Sequence, residues 1–281
     1  MLDKRACIRL LCGLLFAPLS GWATANPSGD AHKSAPGVDN RNGGYFEVGL
    51  GVEAYTSPIL GLPEGNKRGE THTKAFLDIN ARYQYQCLFA EVFSQSLEQF
   101  TLGCNIYNSE HWSVDIVGLA QHDEMNERTS EDYRGLKKRR YDFMSGARLT
   151  AYAGNYIIQA HVLGDVSQTH YGELYSLKLA RHWQYRNWTI HGILGATYRS
   201  QQITHYYYSI SASEASEKFP LYQAPSSTAY FTELGVTYPI NERWVFRGLA
   251  RRVQMDSALT QSPLVVDNHG DVIATSISYV F

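Results

Sequence analysis

Length, composition and charge exclude several classes of protein. The chain has 281 residues, a formal net charge of −2, 20 Tyr and 23 Gly. Because acidic and basic residues nearly balance, the sequence shows no basic surface for nucleic acid, and we expect no nucleic-acid partner. Beyond residue 19 no stretch approaches the roughly 18 consecutive apolar residues of a membrane-spanning helix.

The first residues have the composition of a secretory signal. A charged start is followed by an apolar run over 6–19 and by the small residues Ala23-Thr24-Ala25. This order predicts a cleaved signal peptide at 1–25, and the run is too short for a retained helical anchor, which is the weaker alternative. Residues 26–44 are polar and rich in Gly, Ser, Asp and Asn, and we expect them to form a flexible periplasmic leader.

From residue 45 to the end, segments of about ten residues alternate between apolar and polar side chains, which is typical of membrane barrel strands. We therefore predict an all-β fold, a transmembrane antiparallel up-and-down barrel of about twelve strands over 45–281. The predicted strands are 45–55, 74–83, 87–94, 98–106, 111–121, 139–152, 155–166, 173–184, 188–201, 228–239, 243–255 and 271–281.

The links between these strands alternate between short and long, as in a barrel built strand by strand across an outer membrane. The short links are 84–86, 107–110, 153–154, 185–187 and 240–242, and the long ones are 56–73, 122–138, 202–227 and 256–270. Only 95–97 and 167–172 break the pattern, because both are short where a long link is expected. An even number of strands places both termini on the short-turn side, which is the periplasm in an outer membrane.

The two faces of each predicted strand differ in chemistry. In the first strand Phe46 and Leu50 oppose Glu47 and Glu53, which would be costly in lipid. A soluble β-sandwich would also alternate, but its strands would be shorter. The chain ends on an aromatic Phe281, which resembles the signal for outer-membrane assembly.

The inward face carries titratable side chains of mixed sign. We expect them either to pair across a small lumen and fill it, because buried charges need partners, or to line a narrow polar pore. The candidates for lining the lumen are Glu47, Glu53, Asp115, Arg148, His161, His191, Arg199, Glu233 and Arg247.

Catalytic and metal motifs are weak. His161, Asp165 and His191 are candidates for a hydrolase, but no Ser lies in a nucleophile motif, so we expect no enzyme and no catalytic residue. The acidic segments 122–124 and 268–271 lack a complete metal pattern and are interpreted as solvated loops, without a metal or cofactor.

Two further features leave alternatives open. The basic residues 137–140 would either contact lipopolysaccharide phosphates or form a solvated loop. Cys87 and Cys104 lie on adjacent predicted strands in an oxidising compartment, but the alternation places them on opposite faces, which opposes a disulfide.

Three predicted loops carry short motifs. The first is a Tyr-rich segment with Tyr207, Tyr208, Ser211, Glu214, Ala215 and Tyr222, the second is an Asp-Val-Ser loop with Asp165, Ser167 and Gly172, and the third is a Ser-Pro step at Ser262 and Pro263 before the last strand. Together they resemble the MipA/OmpV family of outer-membrane proteins, named after an MltA-interacting protein. The Tyr-rich segment is similar to the family's Tyr-Tyr-Gly-Val-Ser stretch, although Ser209 stands where the family has Gly.

The resemblance implies a non-enzymatic outer-membrane barrel that acts as a scaffold, bringing a lytic transglycosylase together with a bifunctional murein synthase. Other relatives are associated with osmotic response, adhesion or antibiotic resistance. The matching residues fall in predicted outer loops, whereas a murein scaffold needs periplasmic contacts. Our leading hypothesis is the scaffold, and the alternative is a small-solute channel or uptake protein.

Overall fold

A computed structural model describes residues 42–281 as a single closed barrel of twelve antiparallel strands. The predicted fold class is therefore confirmed. The strands are β1 Gly43–Thr56, β2 Thr71–Tyr85, β3 Leu88–Phe93, β4 Phe100–Asn108, β5 Trp112–Ala120, β6 Phe143–Ala153, β7 Tyr156–Asp165, β8 Glu173–Tyr185, β9 Trp188–Arg199, β10 Ser227–Pro239, β11 Trp244–Gln254 and β12 His269–Val280.

Each strand pairs with its neighbours in sequence, and the pairing of β1 with β12 closes the barrel. Leu50 of β1 lies opposite Leu77 on one side and Ile277 on the other. Closure removes the unpaired sheet edges that an open sheet would expose. The predicted signal peptide and nearly all of the predicted leader fall outside the described residues, and β1 begins two residues before the strand that the sequence predicts.

The alternation along the strands separates an apolar outer face from a polar inner face. Leu50, Leu177 and Ile273 expose 72%, 56% and 63% of their surface, whereas Glu47 and Asp78 expose none. In water this arrangement would be inverted, and it fits a barrel whose outer face contacts lipid. No helix among residues 42–281 is long and apolar enough to cross a membrane.

The two ends of the barrel are different. One end, the turn end, carries only short links, namely 86–87, 109–111, 154–155, 186–187 and 240–243. The opposite end, the loop end, carries 57–70, 94–99, 121–142, 166–172, 200–226 and 255–268. The two-residue turns at Gln86 and Arg186 use a positive φ of 54° and 52°, which reverses the chain in the least space.

Two long links of the loop end contain structure that the sequence does not predict. The segment predicted as a loop over 202–227 begins with a helix, α1 Gln201–Tyr208, in which the six residues after the two Gln are weaker helix formers. The sixth strand begins at Phe143 and not at 139, because Arg139 forms a separate bridge with Met125 and Asp142 turns inward. Tertiary contacts decide the conformation in both places.

Four links of the loop end form one ordered layer, which we call the lid: 57–70, 121–142, 200–226 and 255–268. Its apolar side chains form a core together with inward residues at the loop-end half of the barrel. Members from the lid include Ile59, Met125, Tyr133, Ile203, Tyr207, Ile210, Phe219, Leu259 and Leu264, and members from the barrel include Leu119, Met144, Leu163 and Leu174. The lid therefore packs as a folded layer over the lumen.

Inside the barrel some glycines make room for large neighbours. A Cβ atom at Gly195 would lie 2.1 Å from the ring of Phe231, whereas a Cβ at Gly164 would meet nothing within 4 Å. We expect Gly195→Val to lower the free energy of unfolding by about 1–3 kcal/mol, because the ring has to leave its position. The matched control Gly164→Val adds the same side chain to open space. Urea unfolding in micelles measures both, and an equal loss in the two variants would contradict this packing.

Candidate functional site

The lumen contains charged side chains that are joined in pairs and networks. Arg148 lies between Asp115 and Glu91, with N–O distances of 2.9 Å to each, and Arg82 contacts Glu91 at 2.8 Å. Asp115 and Arg148 are direct partners across β5 and β6, so the register of the strands creates this pair. The low-dielectric interior makes such pairing necessary.

A second group of pairs lies on the opposite wall. Glu233 contacts Arg251 at 2.7 Å and His191 at 3.0 Å, and Arg247 lies 2.6 Å from Glu47. Of the remaining predicted lumen residues, Glu53 pairs with Lys74 at 3.1 Å and His161 is buried beside Glu98. Arg199 is buried at the last position of β9, next to the lid.

The link 94–99, which we call the plug loop, crosses the lumen. β3 and β4 are short, so their connection begins inside the barrel and not above it. Glu98 of this loop contacts Lys178 at 2.5 Å and His161 at 3.1 Å. Arg251 donates a hydrogen bond to the carbonyl oxygen of Gln95 at 3.0 Å, and Leu97 packs against an apolar cluster of the opposite wall. The plug loop thus divides the lumen.

Sequence reasoning missed the plug loop. It placed 95–97 as a turn and did not select Glu98. The signal that could have revealed the loop is the irregular link itself, because a short connection where the pattern demands a long one indicates strands that end inside the barrel.

The family-like residues lie in the lid or at its border and join its segments. Glu214 accepts hydrogen bonds from Arg139 at 2.6 Å, from the backbone N–H of Lys137 at 2.9 Å and from the Ser211 hydroxyl at 2.5 Å. Burial opposes ionisation, but these donors outweigh it and hold the pKa of Glu214 at about 2. Ala215 closes the same turn by donating its N–H to the carbonyl oxygen of Ser211.

Tyr and Ser hydroxyls connect the other lid segments. Tyr207 donates to the carbonyl oxygen of Arg140 at 2.7 Å, and Tyr222 donates to that of Ala258. Ser262, which precedes Pro263, donates to the carbonyl oxygen of Tyr208 at 2.6 Å. These bonds join 121–142, 200–226 and 255–268 into one layer.

The link 166–172 is held by a single carboxylate at the end of β7. Asp165 accepts hydrogen bonds from three successive backbone N–H groups of residues 169–171, at 2.7 to 2.9 Å, and from the hydroxyl of Ser167 at 2.6 Å. A Cβ atom at Gly172 would lie 2.6 Å from the side chain of Ile203. The absence of a side chain at Gly172 therefore lets α1 approach this link.

A buried cluster joins the lid to the link 166–172: His122 and Asp142 belong to the lid segment 121–142, and His170 belongs to the link. One carboxylate oxygen of Asp142 accepts from Nδ1 of His122 at 2.8 Å and from Nε2 of His170 at 2.9 Å. The ring of His122 stacks on Tyr207 with centroids 4.3 Å apart. Burial lowers the pKa of His122. Burial alone would raise the pKa of Asp142, but the attraction of His122 and the hydrogen bonds from His122 and His170 outweigh it and hold this pKa below its usual range.

The expectation of a solvated loop at 122–124 is wrong for His122, which is 5% exposed. It is buried because Asp142, which the sequence assigned to a strand, turns toward it. His122, Asp142 and His170 offer ligand atoms within 4.8 Å of one another, so they are the set that could hold a metal ion among residues 42–281. In this structure their ligand atoms bind one another.

His161, one of the hydrolase candidates, does not have the contacts of a catalytic-triad histidine. The Ser176 hydroxyl and the Glu98 carboxylate both contact Nδ1 of His161, at 3.3 and 3.1 Å. A catalytic triad needs its serine and its acid on opposite nitrogens of the imidazole. Asp165 is occupied by the link 166–172, and His191 pairs with Glu233.

The structure also places the basic segment and the cysteines. Arg139 is buried against Glu214, whereas Lys138 and Arg140 remain at the surface of the lid. Cys87 and Cys104 are free thiols, and the register pairs Cys104 with Leu88.

A closed twelve-stranded barrel with an apolar outer face and an ordered lid defines an outer-membrane barrel protein. The chain belongs to the family described as MltA-interacting protein MipA, which matches residues 48–281. It is 24% identical over 188 residues to the outer membrane protein YiaT of Escherichia coli K12, covering 66% of this chain and 76% of that protein. It is also 24% identical over 153 residues to the MltA-interacting protein of Escherichia coli K12, covering 53% of this chain and 60% of that protein.

Among solved structures, the chain is similar to a loop L8 deletion mutant of OmpT, an outer membrane protein of Vibrio cholerae. The two share 10% identity with a TM-score of 0.36, over 85% of this chain and 76% of the other. The named relatives are outer-membrane or interacting proteins, and the family together with the fold places this chain in the outer membrane.

Glu214 provides a test of how the lid is held. We expect Glu214→Gln to raise proteolytic cleavage of 200–226 at pH 7 on the order of tenfold, because the buried Arg139 loses its carboxylate. The control is Glu217→Gln, three residues away and exposed. Cleavage rates that do not distinguish the two variants would contradict the assigned role.

The same carboxylate gives the lid a pH dependence. Since folding lowers the pKa of Glu214 to about 2, its contribution to stability is present above the unfolded pKa, about 4.3, and is lost as the pH falls toward 2. Protease protection of the wild-type lid should decline over that interval. In Glu214→Gln this part of the decline should be absent, and an unchanged profile in the variant would count against the assignment.

Proposed function

We propose that this chain is a non-enzymatic, non-conducting barrel that serves as an interaction scaffold for murein-cleaving and murein-synthesising enzymes of the cell envelope. The observation that carries the proposal is the closed lumen. The plug loop crosses the barrel at Glu98 and Gln95, and the lid covers the loop end. Since the plug loop crosses the lumen and the lid covers it among residues 42–281, the two ends are the surfaces that we assign to function.

The proposed partners are a lytic transglycosylase and a bifunctional murein synthase. The printed name of one relative, MltA-interacting protein, supports the first of these. Both classes of enzyme work on the periplasmic side, so we place the turn end, the two termini and the leader 26–44 in the periplasm. The turn end carries exposed polar and charged residues, including Glu110, Asn155, Arg186 and Glu242, which suits a contact with a soluble partner.

In this orientation the lid faces outward, where lipopolysaccharide is the neighbour. Lys138 and Arg140 lie at its surface and would be attracted to anionic headgroups. Lys138 is partly neutralised by Glu124, and Arg139 is removed from any such contact by its burial. We therefore propose a contact with lipopolysaccharide through the three exposed cations of this segment, Lys137, Lys138 and Arg140.

Conductance separates the scaffold from the alternative of a small-solute channel. We expect the purified protein to give no steady ohmic current in planar bilayers, because the plug loop is anchored by Lys178 and Arg251 on the opposite wall. A variant with 94–99 replaced by a two-residue turn, which detaches these anchors, tests whether the lid alone also seals. A robust current in the wild type would overturn the scaffold in favour of the channel.

Binding is the direct test of the scaffold. Immobilised protein should retain a purified lytic transglycosylase, and Glu110→Lys with Glu242→Lys should weaken retention, because both side chains lie at the turn end. The matched control reverses a charge at the opposite end, Lys138→Glu, and should leave retention unchanged. Loss of binding in the control alone would show that the partner contacts the loop end, and absence of binding in the wild type would refute this partner.

A further inference from the structure

A small chamber lies inside the barrel between the plug loop and the lid. It has a volume of about 40 Å³, and its wall is formed by the loop-end halves of β8 and β9. Its polar lining comes from Glu98, Gln121, Ser176, Lys178, Thr197 and Arg199. One water molecule needs about 10–15 Å³ of cavity, so the chamber has room for a small group of atoms.

Arg199 differs from the other buried cations. Five Lys and Arg side chains among the described residues are buried, and four of them contact a carboxylate: Arg139, Arg148, Lys178 and Arg251. Arg199 is 8% exposed and has no such partner within 42–281, and its Nε is buried without a hydrogen-bond acceptor. A buried, uncompensated guanidinium is costly, so this charge requires a counter-charge.

A second unpartnered group lies beside it. Ser227 is the direct partner of Arg199 across β9 and β10, and its buried hydroxyl has no hydrogen-bond partner in the part of the chain that the structure describes. The carboxylate of Glu98 is already shared between Lys178 and His161. The chamber therefore contains two cations and one carboxylate, together with hydroxyl and amide donors.

We propose that this chamber binds a small inorganic anion, which contacts the guanidinium of Arg199 with the hydroxyl of Ser227 close by. The charged side chains of the lining, Glu98, Lys178 and Arg199, carry a net charge of +1, which an anion would compensate. The planar guanidinium offers several N–H donors to a halide or to the oxygens of an oxyanion. The site is independent of the proposed scaffold function, because it lies within the closed lumen and not at either end.

The test uses the full chain refolded from urea into micelles, so that the chamber can load before the lid closes. Refolding is carried out in sodium bromide, sodium phosphate or sodium gluconate at equal ionic strength, since gluconate is too large for the chamber. We expect bromide or phosphate to raise the thermal midpoint above that in gluconate, with saturation. Stabilisation by bromide alone identifies a halide-sized site, stabilisation by phosphate alone identifies an oxyanion site, and stabilisation by both identifies a site that accepts either anion.

Variants then locate the site. Arg199→Gln should raise the half-saturating anion concentration by about tenfold or more, since it removes a charged hydrogen-bond donor. The matched control Arg252→Gln removes an exposed arginine that pairs with Asp271, and it should leave the anion response unchanged. If Arg199→Gln does not fold, Ser227→Ala keeps the charge and should raise the half-saturating concentration about threefold.

Two results would overturn the proposal. One is a thermal midpoint that is equal in all three salts at equal ionic strength. The other is an anion response that persists unchanged in Arg199→Gln, or in Ser227→Ala where only that variant folds. Crystals grown in bromide give an independent check, because an anomalous peak beside Arg199 is expected in the wild type, and its absence would contradict the halide form of the site.

Discussion

The pairing of charge inside a closed barrel is the constraint on which the rest of this structure depends. A sheet that turns its apolar face to lipid has to place its polar face in the lumen, where each charge needs a partner. Cross-strand neighbours such as Asp115 and Arg148 meet this need locally. Lys178 has no carboxylate across from it on β7 or β9, where its partners are Gln159 and Gly195. Its partner, Glu98, comes from the plug loop on the far side of the barrel.

This need connects strand length to closure. β3 has six residues, whereas its neighbour β2 has 15, so the chain leaves the wall early and enters the lumen. On the opposite wall Glu98 then pairs with Lys178, and Leu97 packs against an apolar cluster. The lid completes the closure with a different chemistry, since it is held by an apolar core and by hydroxyl groups that donate to backbone carbonyls.

Features that depend on residues close together in the sequence could be predicted, whereas features that depend on contacts between distant residues could not. The strand pattern is local, with a period of two residues, so all twelve strands and the difference between the two ends could be predicted. The inward direction of Glu233 and Arg148 follows from the same period. The plug loop could not be predicted, because its contact between Glu98 and Lys178 joins residues 80 positions apart. The burial of His122 depends in the same way on Asp142, 20 positions away.

The asymmetry between the ends also bears on how a barrel of this kind can serve as a scaffold. Most of the ordered loop structure lies at the loop end, where Glu214 and Tyr207 join lid segments, whereas the turn end consists of links such as 154–155. In the proposed scaffold role the barrel should not leak, and the lid is the layer that would seal the loop end. The turn end would then have no barrier role, and its exposed polar turns would be available to the proposed partner. The ordered lid and the proposed contact at the opposite end are therefore compatible, and the closed lumen separates the two.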